Sequence, residues 1–203
     1  MRELSLHILD LVQNSLAAAA TKVTIMVREL TGQNRLEIEI RDNGRGIPRS
    51  SLGKVHDPFY TTRSSRQVGL GLSLFEAAAR QCSGTMTVES QPGQGTTVLA
   101  VFQYDHLDRA PLGNMADTIL ALIATNPGVD FCYIHQYDTE QYQFDTREIK
   151  EYLGCADLAA PAVIAALREY LTDRYQELRV PVSQALNNLS ESLTNESYVL
   201  TKG

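Results

Sequence analysis

Arg41-Asp42-Asn43-Gly44-Arg45-Gly46-Ile47-Pro48 comes directly after an alternating run of apolar and charged residues, Leu36 to Ile40. The alternation predicts a strand with one buried face. Asp42 then stands at the strand end, where its carboxylate can accept a hydrogen bond from an exocyclic amine such as that of adenine. Gly44 and Gly46 allow backbone conformations closed to other residues, so a flat ligand can approach the main chain. Asp-Asn-Gly is equally good hairpin chemistry, and by itself the stretch is also compatible with a simple turn.

Composition restricts the class of protein before any motif is considered. The chain has 203 residues, 43% of them hydrophobic and 21% charged, which is typical of a globular protein with a sizeable core. A net charge of −6 argues against nucleic acid or an anionic membrane as a main partner. Three widely spaced cysteines indicate neither a zinc site nor a disulfide framework. With no apolar span or signal peptide in the sequence, we expect a soluble, cytoplasmic protein.

The first predicted helix, Leu4 to Ala20, carries a polar line beside its apolar stripe. His7, Asp10 and Asn14 fall at i, i+3 and i+7 and therefore share a face. Oxygens of Asn and Asp one turn apart can bind a hydrated cation such as Mg²⁺, and Asp10 and Asn14 are the candidate metal ligands. An ordinary solvated helix face is the alternative.

Two regions after the helix have the composition of a phosphate site. Strands are predicted at Lys22 to Leu30 and Arg35 to Ile40, followed by an irregular segment from Pro48 to Val68. In that segment Phe59 could anchor a moving lid, and hydroxyl and guanidinium donors to phosphate are supplied by Thr61, Thr62 and Arg63. Gly69-Leu70-Gly71-Leu72-Ser73 then opens an apolar helix that runs through Arg80. Free N–H groups and the helix dipole favour an anion at such a start.

Four of these patches, in this order, resemble the nucleotide-binding domain shared by DNA gyrase, heat-shock protein 90, sensor histidine kinases and the mismatch-repair protein MutL. The resemblance covers Leu4 to Phe102, about half of the chain. It is strongest to the histidine-kinase-like type in two motifs: the lid (Asp57-Pro58-Phe59-Tyr60-Thr61-Thr62) and the glycine box (Gly69-Leu70-Gly71-Leu72-Ser73). It implies an α/β (α+β) two-layer sandwich that binds ATP with Mg²⁺. In the family the first helix supplies an Asn to Mg²⁺, and the stretch that corresponds to Asp42-Asn43-Gly44-Arg45-Gly46-Ile47 supplies an Asp to adenine. The nucleotide-binding residues implied are Asn14, Asp42, Gly44, Gly46, Ile47, Phe59, Thr61, Thr62, Arg63, Gly69, Leu70, Gly71, Leu72 and Thr96.

Two departures from the family pattern bear on mechanism. Where gyrase and MutL have a glutamate as general base, this chain has Asp10, one methylene shorter. A base must come within about 2.6–3.2 Å of its water, so Asp10 is a candidate base whose reach argues against efficient hydrolysis. Only Met1 to Glu3 precede the first helix, so we expect the dimerising, phospho-accepting hairpin of sensor kinases to be absent. His7, His56, His106 and His135 lack the context of that acceptor and are expected to be structural or surface residues.

The second half is predicted to be a separate unit. A linker is expected from Asp105 to Asn114, and it divides an ATP-binding domain, residues 1–104, from a small α+β interaction module, residues 105–179. The module should contain a helix, an aromatic hairpin from Phe131 to Asp145 and two further helices. The hairpin aromatics are expected in a core, with a partner surface as the alternative. Residues 180–203 are expected to form a polar tail.

These features together predict a histidine-kinase-like ATPase domain that acts in signal transduction. The first hypothesis is a stand-alone kinase that phosphorylates a separate protein. The alternatives are a binding module whose protein contacts ATP controls, and a slow ATPase without phosphoryl transfer.

Overall fold

The computed structural model describes residues 3–48, 70–154 and 157–179 of the chain. Their helices and strands are α1 (Leu4–Ala17), β1 (Lys22–Leu30), β2 (Arg35–Asp42), α2 (Leu70–Gln81), β3 (Thr85–Gln91), β4 (Gly95–Gln103), α3 (Met115–Thr125), β5 (Asp130–Tyr137), β6 (Glu140–Asp145), α4 (Thr146–Leu153) and α5 (Pro161–Arg179), with a 3₁₀ turn (Thr31–Gln33) between β1 and β2. The elements predicted from the sequence are confirmed to within a few residues. The first helix ends at Ala17 and not at Ala20, because Ala19 takes a left-handed φ of 59°.

The strands described form one sheet in the order β3-β4-β2-β1-β5-β6. Neighbours are antiparallel except β5, which runs parallel to β1. Alternate residues of β1 are buried while those between them are partly exposed, so one face of the sheet carries the core. Helix α1 contacts both α2 and α3, and α3 contacts α5. The predicted α/β two-layer sandwich is confirmed.

The side chains on the helix-facing side of the sheet form transverse rows, because neighbouring strands pair residue by residue in register. From one end of the sheet to the other, the rows are Ser90, Thr96, Asp42, Val23 and Phe131; then Val88, Val98, Ile40, Ile25, Tyr133 and Phe144; then Met86, Ala100, Ile38, Val27, His135 and Tyr142; and last Phe102, Leu36, Glu29, Tyr137 and Glu140. We call the first the Asp42 row and the last the Glu29 row. Mainly apolar rows separate these two, so the sheet has a polar group at each end.

The second half of the chain extends the same sheet. β5 pairs with β1 from Lys22 opposite Asp130 to Glu29 opposite Tyr137. The predicted linker also contacts the first helix, because the N–H groups of Leu4 and Ser5 donate to the carbonyls of Pro111 and Leu112 at 2.9 and 2.8 Å. These bonds satisfy two of the four N–H groups that a helix start leaves unpaired.

The core is correspondingly shared between the halves. Buried side chains of α1, β1 and β2 belong to one cluster with those of α3, β5 and α5. The boundary near residue 104, and independent folding of residues 1–104, remain predictions; a fragment cut there would uncover the β1 edge that β5 pairs with. The aromatic hairpin lies in this core at Phe131, Tyr133 and Phe144, in agreement with the first of its two interpretations. None of the described helices is both long and apolar enough to cross a lipid bilayer.

A buried polar network occupies the far end of the sheet at the Glu29 row. The Glu29 carboxylate, 4% exposed, accepts a bond from Nε2 of His135 at 3.0 Å on Oε1. Its Oε2 accepts from the Tyr104 hydroxyl at 3.1 Å and from the Arg179 guanidinium at 2.8 Å. Nδ1 of His135 lies 2.6 Å from the Tyr133 hydroxyl, and His135 is fully buried. The network therefore joins β1, β5, the residue that follows β4 and the last residue described in α5.

The charge of Glu29 depends on this network. Burial by itself raises the pKa of the Glu29 carboxyl, but the hydrogen bond from His135, the Arg179 guanidinium and the Tyr104 hydroxyl outweigh it. The pKa consequently lies below its ordinary value of 4.5. A carboxyl whose folded pKa is depressed stabilises the fold above its unfolded pKa, and that contribution is lost as the pH falls through the folded pKa.

We expect Glu29→Gln to lower the free energy of unfolding at pH 7 by about 1.5–3 kcal/mol, the scale of hydrogen bonds to a charged group. The amide keeps the shape but loses the charge that Arg179 and His135 contact. Urea denaturation followed by circular dichroism measures the change, and Glu89→Gln on β3, where the carboxylate is exposed, is the control. The difference from wild type should shrink below about pH 4. Equal stability of Glu29→Gln and wild type at pH 7 would show that the network is energetically neutral.

Candidate functional site

Asp42 is the centre of the polar group at the near end of the sheet. It is the last residue of β2 and only 8% exposed. Its Oδ1 accepts from the backbone N–H groups of Gly44 and Thr96 at 2.8 and 3.3 Å, and its Oδ2 accepts from the Ser15 hydroxyl at 2.7 Å. The carboxylate thus joins β2 to β4 and α1. Since a carboxylate offers about four acceptor sites, these three bonds leave capacity for one further donor.

The loop after β2 needs its glycines for packing against the protein itself. Gly46 has a φ of +68°, and a side-chain carbon at this position would lie 2.1 Å from the Gln91 carbonyl oxygen. Gly95, at the start of β4, has a φ of +99°, and a carbon there would lie 1.9 Å from the Asp42 carbonyl oxygen. The sequence interpretation, in which glycine makes room for a flat ligand, needs this correction at Gly46. There the missing side chain makes room for the β3–β4 turn.

Residues 41–48 do not form the simple turn that was the alternative interpretation of this stretch. After β2 the chain contacts the end of α1, where the Arg45 N–H donates to the Ala18 carbonyl at 2.9 Å. It also contacts the β3–β4 turn, where Gly93 N–H donates to the Arg45 carbonyl at 2.8 Å. The Asn43 side-chain oxygen accepts from the N–H groups of Thr21 and Lys22, both at 2.9 Å. The loop is therefore held on two sides around Asp42.

Ser90 is a hydrogen-bond centre that sequence reasoning missed. Its Oγ accepts from the Ile47 N–H at 2.8 Å, donates to the Gly95 carbonyl at 2.8 Å and lies 2.9 Å from the Thr96 hydroxyl. It therefore connects the loop after β2 to the first two residues of β4. The available signal was a serine at the end of the alternating stretch Met86 to Ser90, which a glycine-rich turn separates from a second such stretch, Thr96 to Phe102. Ser15 was missed as well, although it follows Asn14 directly.

The predicted metal-binding face of α1 lies beside the start of α2. A side-chain carbon at Gly71 would lie 3.4 Å from Cβ of Asp10 and 3.6 Å from Nδ2 of Asn14. Asp10 is exposed and Asn14 is half-buried. The structure thus brings Gly71 together with the two candidate metal ligands, from which it is separated by more than fifty residues in the sequence.

His7 departs from the polar face that the sequence predicted. It is 4% exposed, and its ring lies 5.3 Å from that of Phe75 on α2. Burial lowers the pKa of His7, outweighing the opposite effect of the Asp10 carboxylate, and its Nδ1 has no hydrogen-bond partner among the described residues. His7 therefore packs the α1–α2 contact, while Asp10 and Asn14 continue the face toward solvent.

The remaining predicted residues are only partly described. Leu72 is half-buried and packs against the core, and Leu70 is described by its backbone alone. Five predicted site residues lie outside the described residues: Phe59, Thr61, Thr62, Arg63 and Gly69. His56 also lies outside them. Within residues 3–48, 70–154 and 157–179, no group of three or more His, Cys, Asp and Glu side chains is arranged to hold a metal ion. A cation bound here would need ligands from a nucleotide as well, which is common for Mg²⁺.

Curated relatives match less than half of the chain. The sensor kinase CckA of Brucella abortus is 35% identical over 80 residues, which are 39% of this chain and 8% of that protein. The sensor histidine kinase YxdK of Bacillus subtilis is 34% identical over 70 residues, which are 32% of this chain and 22% of that protein. The chain therefore spans less than a quarter of the length of either relative.

Comparison with solved structures concerns the fold alone. The N-terminal domain of a DNA repair protein superposes on 70% of this chain and 52% of its own, with a TM-score of 0.51 and 17% identity. Because 70% of the chain is more than its first half, the superposition includes part of the second half.

The family model for "Histidine kinase-, DNA gyrase B-, and HSP90-like ATPase" matches residues 2–106, slightly more than half of the chain. On that match, and with the sheet and site already described, the chain belongs to the histidine kinase-, DNA gyrase B- and HSP90-like ATPase family.

Proposed function

We propose that this protein binds Mg²⁺-ATP between α1, α2 and the Asp42 row, and acts in signal transduction as a stand-alone kinase on a separate protein. The observation that carries the nucleotide site is the buried Asp42 carboxylate, held by three donors with one acceptor position left. A carboxylate can only accept hydrogen bonds. It therefore suits the exocyclic amine of adenine and disfavours the carbonyl that guanine carries at the same position.

The phosphate side of the proposed site is formed by α1 and α2. Asn14 and Asp10 would hold Mg²⁺, which supplies positive charge to the phosphates of the nucleotide. The start of α2 lies against these two side chains at Gly71, where helix N–H groups favour an anion. We further propose that Thr61, Thr62 and Arg63 contribute donors to the phosphates, with Phe59 anchoring the lid and Gly69 completing the glycine box.

The transfer of phosphate to a separate protein is supported by the family and by relatives named sensor kinases. The buried position of His135 in the Glu29 network makes that histidine a poor phosphate acceptor, which favours an acceptor on another protein. The cytoplasm is the proposed location. Incubation with γ-labelled ATP and lysate proteins, followed by separation under conditions that preserve phosphohistidine, tests the transfer.

A binding switch controlled by ATP is the second candidate function, and the position of Asp10 favours it over hydrolysis. Asp10 is exposed, and its side chain is shorter than that of a glutamate base. It is therefore poorly placed to accept a proton from an attacking water. Label transferred to a partner supports the kinase. Nucleotide-dependent binding of a partner without label supports the switch, and steady release of phosphate would instead indicate an ATPase.

We expect Asp42→Asn to weaken ATP binding by about 1.5–3 kcal/mol, or roughly ten- to more than a hundredfold in Kd. The amide can still accept a bond through its oxygen but loses the charge. Calorimetric titration measures the change, and Asp173→Asn, at an exposed position of α5, is the matched control. Wild-type protein that binds ATP and GTP with equal affinity would contradict the role given to Asp42.

Asn14→Ala should remove the Mg²⁺-dependent part of ATP affinity while leaving the fold intact. The side chain is half-buried beside Gly71 and lies outside the apolar core cluster, so its loss should remove a metal ligand more than it disturbs packing. Titration of ATP in Mg²⁺ and in EDTA isolates this part, with Gln81→Ala at the exposed end of α2 as the control. Undiminished Mg²⁺ dependence in Asn14→Ala would exclude Asn14 as the ligand.

A further inference from the structure

The direction of the hydrogen bonds around Ser90 follows from the number of protons available. A serine hydroxyl has one proton and two lone pairs. The proton goes to the Gly95 carbonyl, 2.8 Å away, and one lone pair accepts the Ile47 N–H, also at 2.8 Å. The third contact, 2.9 Å to Oγ1 of Thr96, must then use the remaining lone pair. Ser90 therefore accepts from Thr96, and the Thr96 hydroxyl is the donor in that contact.

This assignment fixes what Thr96 can offer a ligand. Once its single proton is directed at Ser90, Oγ1 of Thr96 presents only lone pairs. Thr96 is half-buried, and its own N–H donates to Oδ1 of Asp42. The two side chains are neighbours in the Asp42 row, so two acceptors face the same end of the sheet. The primary amine of adenine carries two N–H protons and matches such a pair.

We propose that Ser90 is a positioning residue that sets the base specificity of the site, by holding the Thr96 hydroxyl as an acceptor. The inference rests on the proposed function, because it concerns the adenine subsite proposed above. Ser90 acts through Thr96 and not through direct contact with the base. A purine with an oxygen at position 6 then meets acceptors at both Asp42 and Thr96, and it is rejected because neither supplies a proton.

Ser90 also has a structural contact, and the experiment must separate the two effects. Its bond from the Ile47 N–H holds the loop that follows Asp42. Loss of that bond should weaken the binding of every purine nucleotide by a similar factor. Loss of control over Thr96 should change only the ratio of affinities for nucleotides that differ at position 6. The ratio of the Kd values for ITP and ATP is therefore the informative quantity.

The test is a calorimetric titration of wild-type protein and Ser90→Ala with ATP and with ITP, in Mg²⁺. In Ser90→Ala the Thr96 hydroxyl can rotate and donate to the hypoxanthine oxygen. We expect the preference for ATP over ITP to fall about tenfold, which corresponds to one hydrogen bond. Thr87→Ala is the matched control, because Thr87 lies on the same strand, is exposed and faces the opposite side of the sheet. Its preference should equal that of wild type.

Thr96→Val completes a double-mutant cycle. It removes the hydroxyl while leaving the bonds of Ser90 to Ile47 and Gly95, and it should also lower the preference for ATP. Adding Ser90→Ala to Thr96→Val should not change the ratio further, since Ser90 has no hydroxyl left to direct. If Ser90→Ala does not fold, an unchanged ratio in Thr96→Val overturns the inference.

The outcomes separate the inference from the function on which it rests. Binding of ATP with a preference over ITP that survives Ser90→Ala overturns the role of Ser90 and leaves the nucleotide site intact. A change in ratio that persists in the Thr96→Val background also overturns it, because Ser90 would then act by another route. Wild-type protein that binds neither nucleotide overturns the proposed function and the inference together.

Discussion

The Asp42 carboxylate is the group on which the geometry of the site depends. It is buried at the end of a central strand, and its bonds join three elements: the loop after β2 through Gly44, β4 through Thr96 and α1 through Ser15. A carboxylate in this position is tolerated because its donors compensate for the lost water. The same donors fix its orientation, so the remaining acceptor site has a defined direction.

Register in the sheet connects this site to the rest of the fold. Because each strand pairs in step with its neighbours, Ser90, Thr96 and Asp42 lie in one row, and Glu29 and Tyr137 lie in another at the opposite end. The apolar rows between them supply the burial that drives folding. The parallel pairing of β5 with β1 extends these rows into the second half, so that α5 reaches the sheet through Arg179 and Glu29. The second half is thus connected to β2 through one intervening strand, β1.

Local chemistry explains which features could be predicted from the sequence. The position of Asp42 at a strand end follows from the alternation before it, and Asn14 and Asp10 share a helix face because of their spacing. Both are short-range relations. The proximity of Gly71 to that helix face was predicted only through the resemblance to a family, because no local rule places residue 71 beside residue 10.

Other features depend on contacts between distant parts of the chain. Ser90 becomes important only when β3 and β4 pair and the loop carrying Ile47 reaches them. The polar spacing of His7 suggested a shared face, but α2 covers that residue through Phe75. Gly46 was interpreted as room for a ligand, whereas the Gln91 carbonyl fills the space. The predicted two-part organisation did not anticipate that β5 would pair beside β1, because strand partners are chosen by the whole sheet.

The most direct test of the nucleotide site is a titration of ¹⁵N-labelled protein with Mg²⁺-ADP, followed by amide chemical shifts. The Gly44 and Thr96 amides donate to Asp42, so a base bound at that carboxylate should move both of them strongly. The Gly71 amide should shift when the phosphates bind, whereas the amides of exposed residues such as Glu140 on β6 and Tyr170 on α5 should not shift. Saturable shifts at Gly44, Thr96 and Gly71 are the predicted result. Unmoved amides at these three positions, or shifts confined to β6 and α5, would contradict the account.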